Sequence, residues 1–182
     1  APVYPQVKWL HEHGIDAVRI PIGYWILDGD PPYVSSIGRL DWAVRMAERY
    51  QIKVLLCLHG APGSQNGQDH SGRIGPAQWY RDKTLRDETI GILVRLAERY
   101  KDTPSVWGIE LLNEPKLLFH NFMLRKFYRQ AYRQLVAVAR PDLVVVFSDA
   151  FTPRLMSGAL RARGLPVMMD TLDKKLCWEA AS

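Results

Sequence analysis

Short unbroken apolar runs alternate along this chain with longer stretches in which apolar residues recur every three or four positions. The runs lie at 17–22, 53–58, 105–112, 143–148 and 166–170. Runs of that length without polar alternation predict strands covered on both faces, as in parallel sheets. Between them, Leu40, Val44, Ala47 and Tyr50 make one helical face. Leu85, Leu93, Leu96 and Tyr100 belong to a second, and Leu124, Tyr128, Ala131, Leu135 and Val138 to a third. Residues 7–13 read as a short helix closed by Gly14, and Asp102-Thr103-Pro104 and Arg140-Pro141-Asp142 stop the second and third long helices. Strict α-β alternation predicts one α/β domain over residues 1–182, with a mainly parallel sheet and right-handed crossovers.

Two architectures share that order, the doubly wound open sheet and the (β/α)8 barrel. A nucleotide-binding open sheet carries a glycine-rich turn after its first strand. Here the first run continues into Arg19-Ile20-Pro21-Ile22-Gly23-Tyr24-Trp25, which has no such turn. The loop Gly60-Ala61-Pro62-Gly63-Ser64-Gln65-Asn66-Gly67 is glycine-rich but lacks the Lys-Ser/Thr that completes a phosphate loop. A barrel fits better, yet a complete one takes ~250 residues. With 182 residues the expectation is a partial (β/α)8 TIM barrel, about half of one.

Composition narrows the function classes. The chain is 47% hydrophobic and 24% charged, as one globular domain requires, and no stretch approaches a membrane span. Its start lacks the basic-then-apolar pattern of a signal peptide and reads as an internal cut. A formal charge of +5 raises the question of nucleic acid, but the arginines at 39, 45, 49, 86, 95, 99, 129 and 133 are interleaved with acids on helical stretches. That pattern describes solvated helix faces, so neither a nucleic-acid nor a membrane partner is expected. Cys57 and Cys177 form no metal spacing and no disulfide framework; Cys57 sits in an apolar run as a buried thiol.

Chemistry-bearing residues gather where the runs end. Arg19 lies in the first, with Tyr24 and Trp25 just beyond it; His59 ends the second, Asn113-Glu114 the third, and Asp149 and Phe151 follow the fourth. In a barrel these C-terminal ends converge on the active face. Cleaving a glycosidic bond needs a carboxylic acid for the leaving oxygen and a second carboxylate across the cleft, the role Glu114 can fill on one side. Asn113 beside it can bond a sugar 2-hydroxyl, Arg19 can hold a carboxylate ionised, and His59 can orient hydroxyls. Tyr24 and Trp25 suit either a pyranose face or the core. The long segment 60–82 offers Ser64, Gln65, Asn66, Gln68, Asp69 and His70 for sugar hydroxyls. No ligand spacing supports a metal at His59, Asp69 and His70, and the reaction needs no cofactor.

Three ordered motifs carry a family resemblance: Gly14-Ile15-Asp16-Ala17-Val18-Arg19-Ile20-Pro21-Ile22-Gly23-Tyr24-Trp25, Leu58-His59-Gly60-Ala61-Pro62-Gly63-Ser64-Gln65-Asn66-Gly67, and Glu110-Leu111-Leu112-Asn113-Glu114-Pro115. Ser148-Asp149-Ala150-Phe151 is a fourth, weaker match. Over residues 8–171 the chain resembles glycoside hydrolase family 5, especially its exo-β-1,3-glucanase-like members. The resemblance implies that Glu114 is the acid/base and that Arg19, His59 and Asn113 are the family's strand-two arginine, strand-three histidine and strand-four asparagine; Tyr24, Trp25 and Asn66 stand beside them as substrate-binding candidates read from their own chemistry. The substrate that the resemblance implies is a β-glucoside or β-glucan. The resemblance also marks departures. Cys57 stands where an aspartate is common, and Leu172-Asp173-Lys174 replaces a His and Tyr pattern. The family's first strand, nucleophile strand and last strand have no counterpart, and Glu179 reads as a tail residue.

Half a barrel has bare edges and apolar faces. The expectation is therefore a homodimer in which two copies complete the barrel about a two-fold axis, with Glu114 facing Glu114. Three readings compete: a β-glycosidase active through self-assembly or through residual site chemistry, an inactive fragment that keeps weak carbohydrate binding, and an unrelated α/β scaffold or binding module.

Overall fold

The computed structural model describes residues 4–116, 121–150 and 168–170, with backbone alone at 4–5, 121 and 168–170. In chain order these form α1 (Tyr4–Glu12), β1 (Ala17–Gly23), α2 (Ile37–Arg49), β2 (Lys53–Gly60), α3 (Lys83–Arg99), β3 (Val106–Glu110), α4 (Asn121–Val136), β4 (Val144–Ser148) and β5 (Met168–Asp170). The strands make one parallel sheet in sequential order, β1-β2-β3-β4-β5. This is the α/β architecture expected from the apolar periodicity. Phe151, Leu172, Cys177 and Glu179, and the helix expected between the fourth and fifth strands, lie outside the described residues.

Helix boundaries follow local chemistry. Behind α1, the N–H groups of Gly14 and Ile15 reach the carbonyls of His11 and Leu10 at 3.1 and 3.0 Å, closing the helix with Gly14 at φ 75°. The end of α2 uses the same pattern without a glycine: Gln51 and Ile52 bond to Glu48 and Ala47 at 3.1 and 2.9 Å, which places Gln51 at φ 56°. At the start of α3 the Asp82 side chain accepts the Thr84 N–H at 2.8 Å, satisfying one of the free donors of the first turn.

Burial explains the two faces of the sheet. On β2, Val54, Leu56 and Leu58 are fully buried in one core with Leu40, Val44 and Ala47 of α2 and Leu93 and Leu96 of α3. Burying each such side chain is worth about 1.5–3 kcal/mol. An aromatic chain extends this core, with Trp79 edge-on to Phe127 at 4.8 Å and Tyr128 edge-on to Phe147 at 5.2 Å. Trp79 also donates its indole N–H to Thr89 at 3.0 Å, so its one polar atom is satisfied. On β1 the alternation is sharper: Ala17, Arg19 and Pro21 are exposed, while Val18, Ile20 and Ile22 pack toward the core. The polar face of β1 is the one that carries Arg19. No described strand pairs with the outer edge of β1.

Candidate active site

The C-terminal end of the sheet brings together side chains from separate strands. Pro21 of β1 is in register with Cys57 of β2, and Cys57 with Glu110 of β3. Arg19 reaches across this row and donates from Nε and Nη2 to the two carboxylate oxygens of Glu110 at 2.7 and 2.8 Å. Nη2 also donates to Asn113 Oδ1 at 2.8 Å. Glu110 has no exposed side-chain surface, so its charge depends on this bidentate pair.

His59, at the end of β2, lies against the same group. Its Nε2 is 3.5 Å from Asn113 Nδ2 and its Nδ1 is 3.7 Å from Cys57 Sγ. Burial, then Arg19, then His70 push the His59 ring below its ordinary value, with Glu114 opposing. A neutral ring accepts from Asn113 at Nε2 and donates Nδ1–H to the sulfur, a consistent set of roles.

Glu114 occupies a left-handed backbone position, φ 40°, which turns the chain out of β3. The segment after β2 holds that turn. Gln65 Nε2 donates to the carbonyls of Asn113 and His59 at 2.9 and 2.8 Å, and Gln65 Oε1 accepts the Ala61 N–H at 3.0 Å. Asn66 Nδ2 donates to the Glu114 carbonyl at 3.0 Å, and the Lys116 N–H bonds to the Gln65 carbonyl at 3.1 Å. The Glu114 side chain is left 45% exposed, with His70 Nε2 3.6 Å from its Oε2. A carboxyl group so placed can reach a molecule from solvent.

The structure thus brings Arg19, His59, Asn113 and Glu114 to one rim. It gives other surroundings to the remaining expected residues. Asn66 engages both ends of its amide inside the protein, Nδ2 with Glu114 and Oδ1 with the Gln68 N–H at 2.9 Å. Trp25 stacks on Tyr33 at 3.9 Å, and a Cβ at Gly23 or Gly72 would strike its ring. Tyr24 turns its hydroxyl to Asp30, and burial followed by Asp30 push that hydroxyl above its ordinary value. Within 60–82, Ser64, Gln65 and Asn66 are buried, whereas Gln68, Asp69 and His70 are exposed.

Sequence reasoning passed over Glu110 as a site residue, quoting it only within a motif. One signal was present: an acid inside an apolar run must find a cation, and Arg19 lies in another such run. Among the described residues no group of three or more His, Cys, Asp or Glu could hold a metal ion, and no helix is long and apolar enough to cross a membrane.

Comparison with known proteins gives this geometry a family. Residues 6–148 match the model of cellulase, glycosyl hydrolase family 5. A "Probable glucan 1,3-beta-glucosidase A" of Aspergillus terreus is 41% identical over 162 residues, covering 85% of this chain and 38% of that protein. A "Probable glucan 1,3-beta-glucosidase" of Arthroderma benhamiae is 42% identical over 144 residues, covering 76% of this chain and 34% of that protein. The chain therefore spans less than two-fifths of the length of these relatives. Among solved structures, rutinosidase from Aspergillus niger superposes with a TM-score of 0.77 at 19% identity, covering 94% of this chain and 54% of that one. Endo-glycoceramidase II from Rhodococcus sp. gives 0.63 at 16% identity, covering 81% and 44%. These likenesses carry the fold, and the family match carries the affiliation: the chain belongs to glycosyl hydrolase family 5.

Proposed function

We propose that this chain carries the acid/base side of a β-glycosidase that cleaves β-1,3-linked glucosyl bonds by retention. The observation that supports it most is the exposed Glu114 carboxyl, held on a left-handed turn beside the linked group Asn113, Arg19, Glu110 and His59. In this reading Glu114 protonates the leaving oxygen and then, as a carboxylate, activates the water that releases the sugar. Asn113 Nδ2 offers a donor toward the sugar 2-hydroxyl while Arg19 fixes its Oδ1. The names of the fungal relatives supply the choice of a glucan and its linkage.

Retention needs a second carboxylate about 5–5.5 Å from the first. Glu110 is buried and bound to Arg19, which leaves it unsuited to attack a sugar. We assign the second carboxylate to a second copy of the chain, docked along the edge of β1 that no described strand pairs. The test is hydrolysis of an aryl β-glucoside. Glu114→Gln is expected to lower kcat by about 10²–10⁴-fold, the usual worth of a positioned acid. Unchanged turnover in that variant sinks the assignment, while β-glucan binding without any turnover selects an inactive carbohydrate-binding fragment instead.

A further inference from the structure

A histidine on a surface loop ordinarily keeps its rotamer freedom, since ordering it costs entropy and gains little. His70 is held on both sides. Its own N–H bonds to Asp69 Oδ1 at 2.8 Å. Next to it the buried Ser71 donates its hydroxyl to the Gln68 carbonyl at 2.7 Å and pairs with the buried Ser64 hydroxyl at 2.5 Å. Gly72 follows at φ 83°, pressed so closely on the Trp25 ring that a Cβ would strike it, and its carbonyl accepts from the Tyr33 hydroxyl.

Asn66 ties this turn to the one that carries Glu114. Its Oδ1 accepts the Gln68 N–H at 2.9 Å, and its Nδ2 donates to the Glu114 carbonyl at 3.0 Å. One buried amide therefore sets the spacing between the two turns. Across that spacing His70 Nε2 stands 3.6 Å from Glu114 Oε2, with its ring edge-on to His59 at 5.3 Å. Among the described residues no other cationic or imidazole side chain lies within ion-pair distance of this carboxyl. Contacts of this length between catalytic groups tighten when substrate closes the site.

We propose that His70 is a positioning residue of the reaction, which directs an Nε2–H donor to Glu114 Oε2 and so leaves Oε1 to serve the substrate. This rests on the acid/base role proposed for Glu114. In the first step the proton on Oε1 passes to the glycosidic oxygen. The bond from that oxygen to the sugar breaks, its electron pair staying on the oxygen, while the second carboxylate bonds to the sugar carbon. The charge left on Glu114 spreads over both its oxygens, and a donor already aimed at Oε2 stabilises it as it forms. In the second step the same donor keeps the carboxylate in place while Oε1 takes a proton from the attacking water. Either a neutral ring with its proton on Nε2 or a fully protonated ring supplies that donor.

The test compares two substrates that differ only in how much they need an acid. Phenyl β-glucoside needs its leaving oxygen protonated, whereas 2,4-dinitrophenyl β-glucoside loses its aryl oxide without help. His70→Ala is expected to lower kcat/KM for the phenyl glucoside about tenfold, the low end for a hydrogen bond to a charged group because the pair is partly exposed. The same variant leaves kcat/KM for the dinitrophenyl glucoside unchanged. His70→Gln, which carries an amide donor to nearly the position of Nε2, restores most of the loss. Equal losses on the two glucosides, as a general disturbance of the loop would give, or no loss on either, overturn the proposal. The contact itself is read without turnover from the imidazole nitrogen resonances at constant pH. Glu114→Gln is expected to move the His70 Nε2 resonance and to leave those of His11 and His13 in place; an unmoved His70 resonance also overturns the proposal. An unmodified protein that cleaves neither glucoside removes the glycosidase reading alone, since the ring resonance is read independently of it.

Discussion

Beneath the rim, the buried Glu110 carboxylate takes a bidentate bond from Arg19. Removing one partner of a buried ion pair typically costs about 3–5 kcal/mol, because the other charge is left in a poorly solvating place. Because Arg19 is itself about a third exposed, Arg19→Ala is expected to lower the unfolding free energy by less than that, about 1–3 kcal/mol, in urea titration, and Arg19→Ala with Glu110→Leu by less still. A loss under about 0.5 kcal/mol, as for a surface arginine, would show that the pair does not support the fold. His59 gives a pH-dependent counterpart. Its ring is held below its ordinary value in the folded state, so the unfolded chain binds more protons as pH falls. The associated stability is complete above the unfolded value of about 6.5 and is lost as pH drops through the folded one. The urea midpoint should thus fall between roughly pH 7.5 and 5 in the native protein, and fall less in His59→Asn. Arg19, His59, Asn113 and Glu114 were legible in the sequence because polar side chains at the ends of apolar runs stand out. Tyr24 and Trp25 were not separable there, since two adjacent aromatics look alike until Gly23, Gly72 and Tyr33 receive one ring and Asp30 the other hydroxyl.

At the scale of elements, burial periodicity located every described strand, and the differences lie at the ends. β2 runs on to Gly60 rather than stopping at 58, so His59 points from within the strand. β3 covers Val106–Glu110 rather than 105–112, because the chain must turn for Asn113 N–H to reach the Leu58 carbonyl at 2.9 Å. The long segment 60–82 folds back on itself through Asp69–Ser71 and Gln78–Tyr80, single 3-10 turns, with Trp79 and Tyr80 buried. A sequence window cannot foresee this, since the partners that bury Trp79 come from α3 and α4. Gln51 was likewise silent: nothing about a glutamine announces a left-handed position. An L-residue there costs roughly 1–2 kcal/mol, so Gln51→Gly should raise stability by about 1 kcal/mol in denaturant unfolding. A decrease would mean that the exposed Gln51 side chain makes a stabilising contact of its own.

For the molecule as a whole, the edge of β1 that no described strand pairs and its exposed Arg19 face set the question of assembly. If a second copy completes the site, light scattering will give twice the monomer mass, and specific activity on an aryl β-glucoside will fall on dilution through the dissociation range. A folded monomer with activity independent of concentration excludes that assembly. The order of helices and strands, the parallel sheet and the residues at the rim followed from the sequence alone, because alternation and burial are properties of short windows. Which carboxylate faces Arg19, what Asn66 holds and where Tyr24 turns were decided only by tertiary structure. Those contacts join residues far apart in the chain, such as Arg19 and Glu110, and they exist only once the register of Pro21, Cys57 and Glu110 has been fixed across three strands.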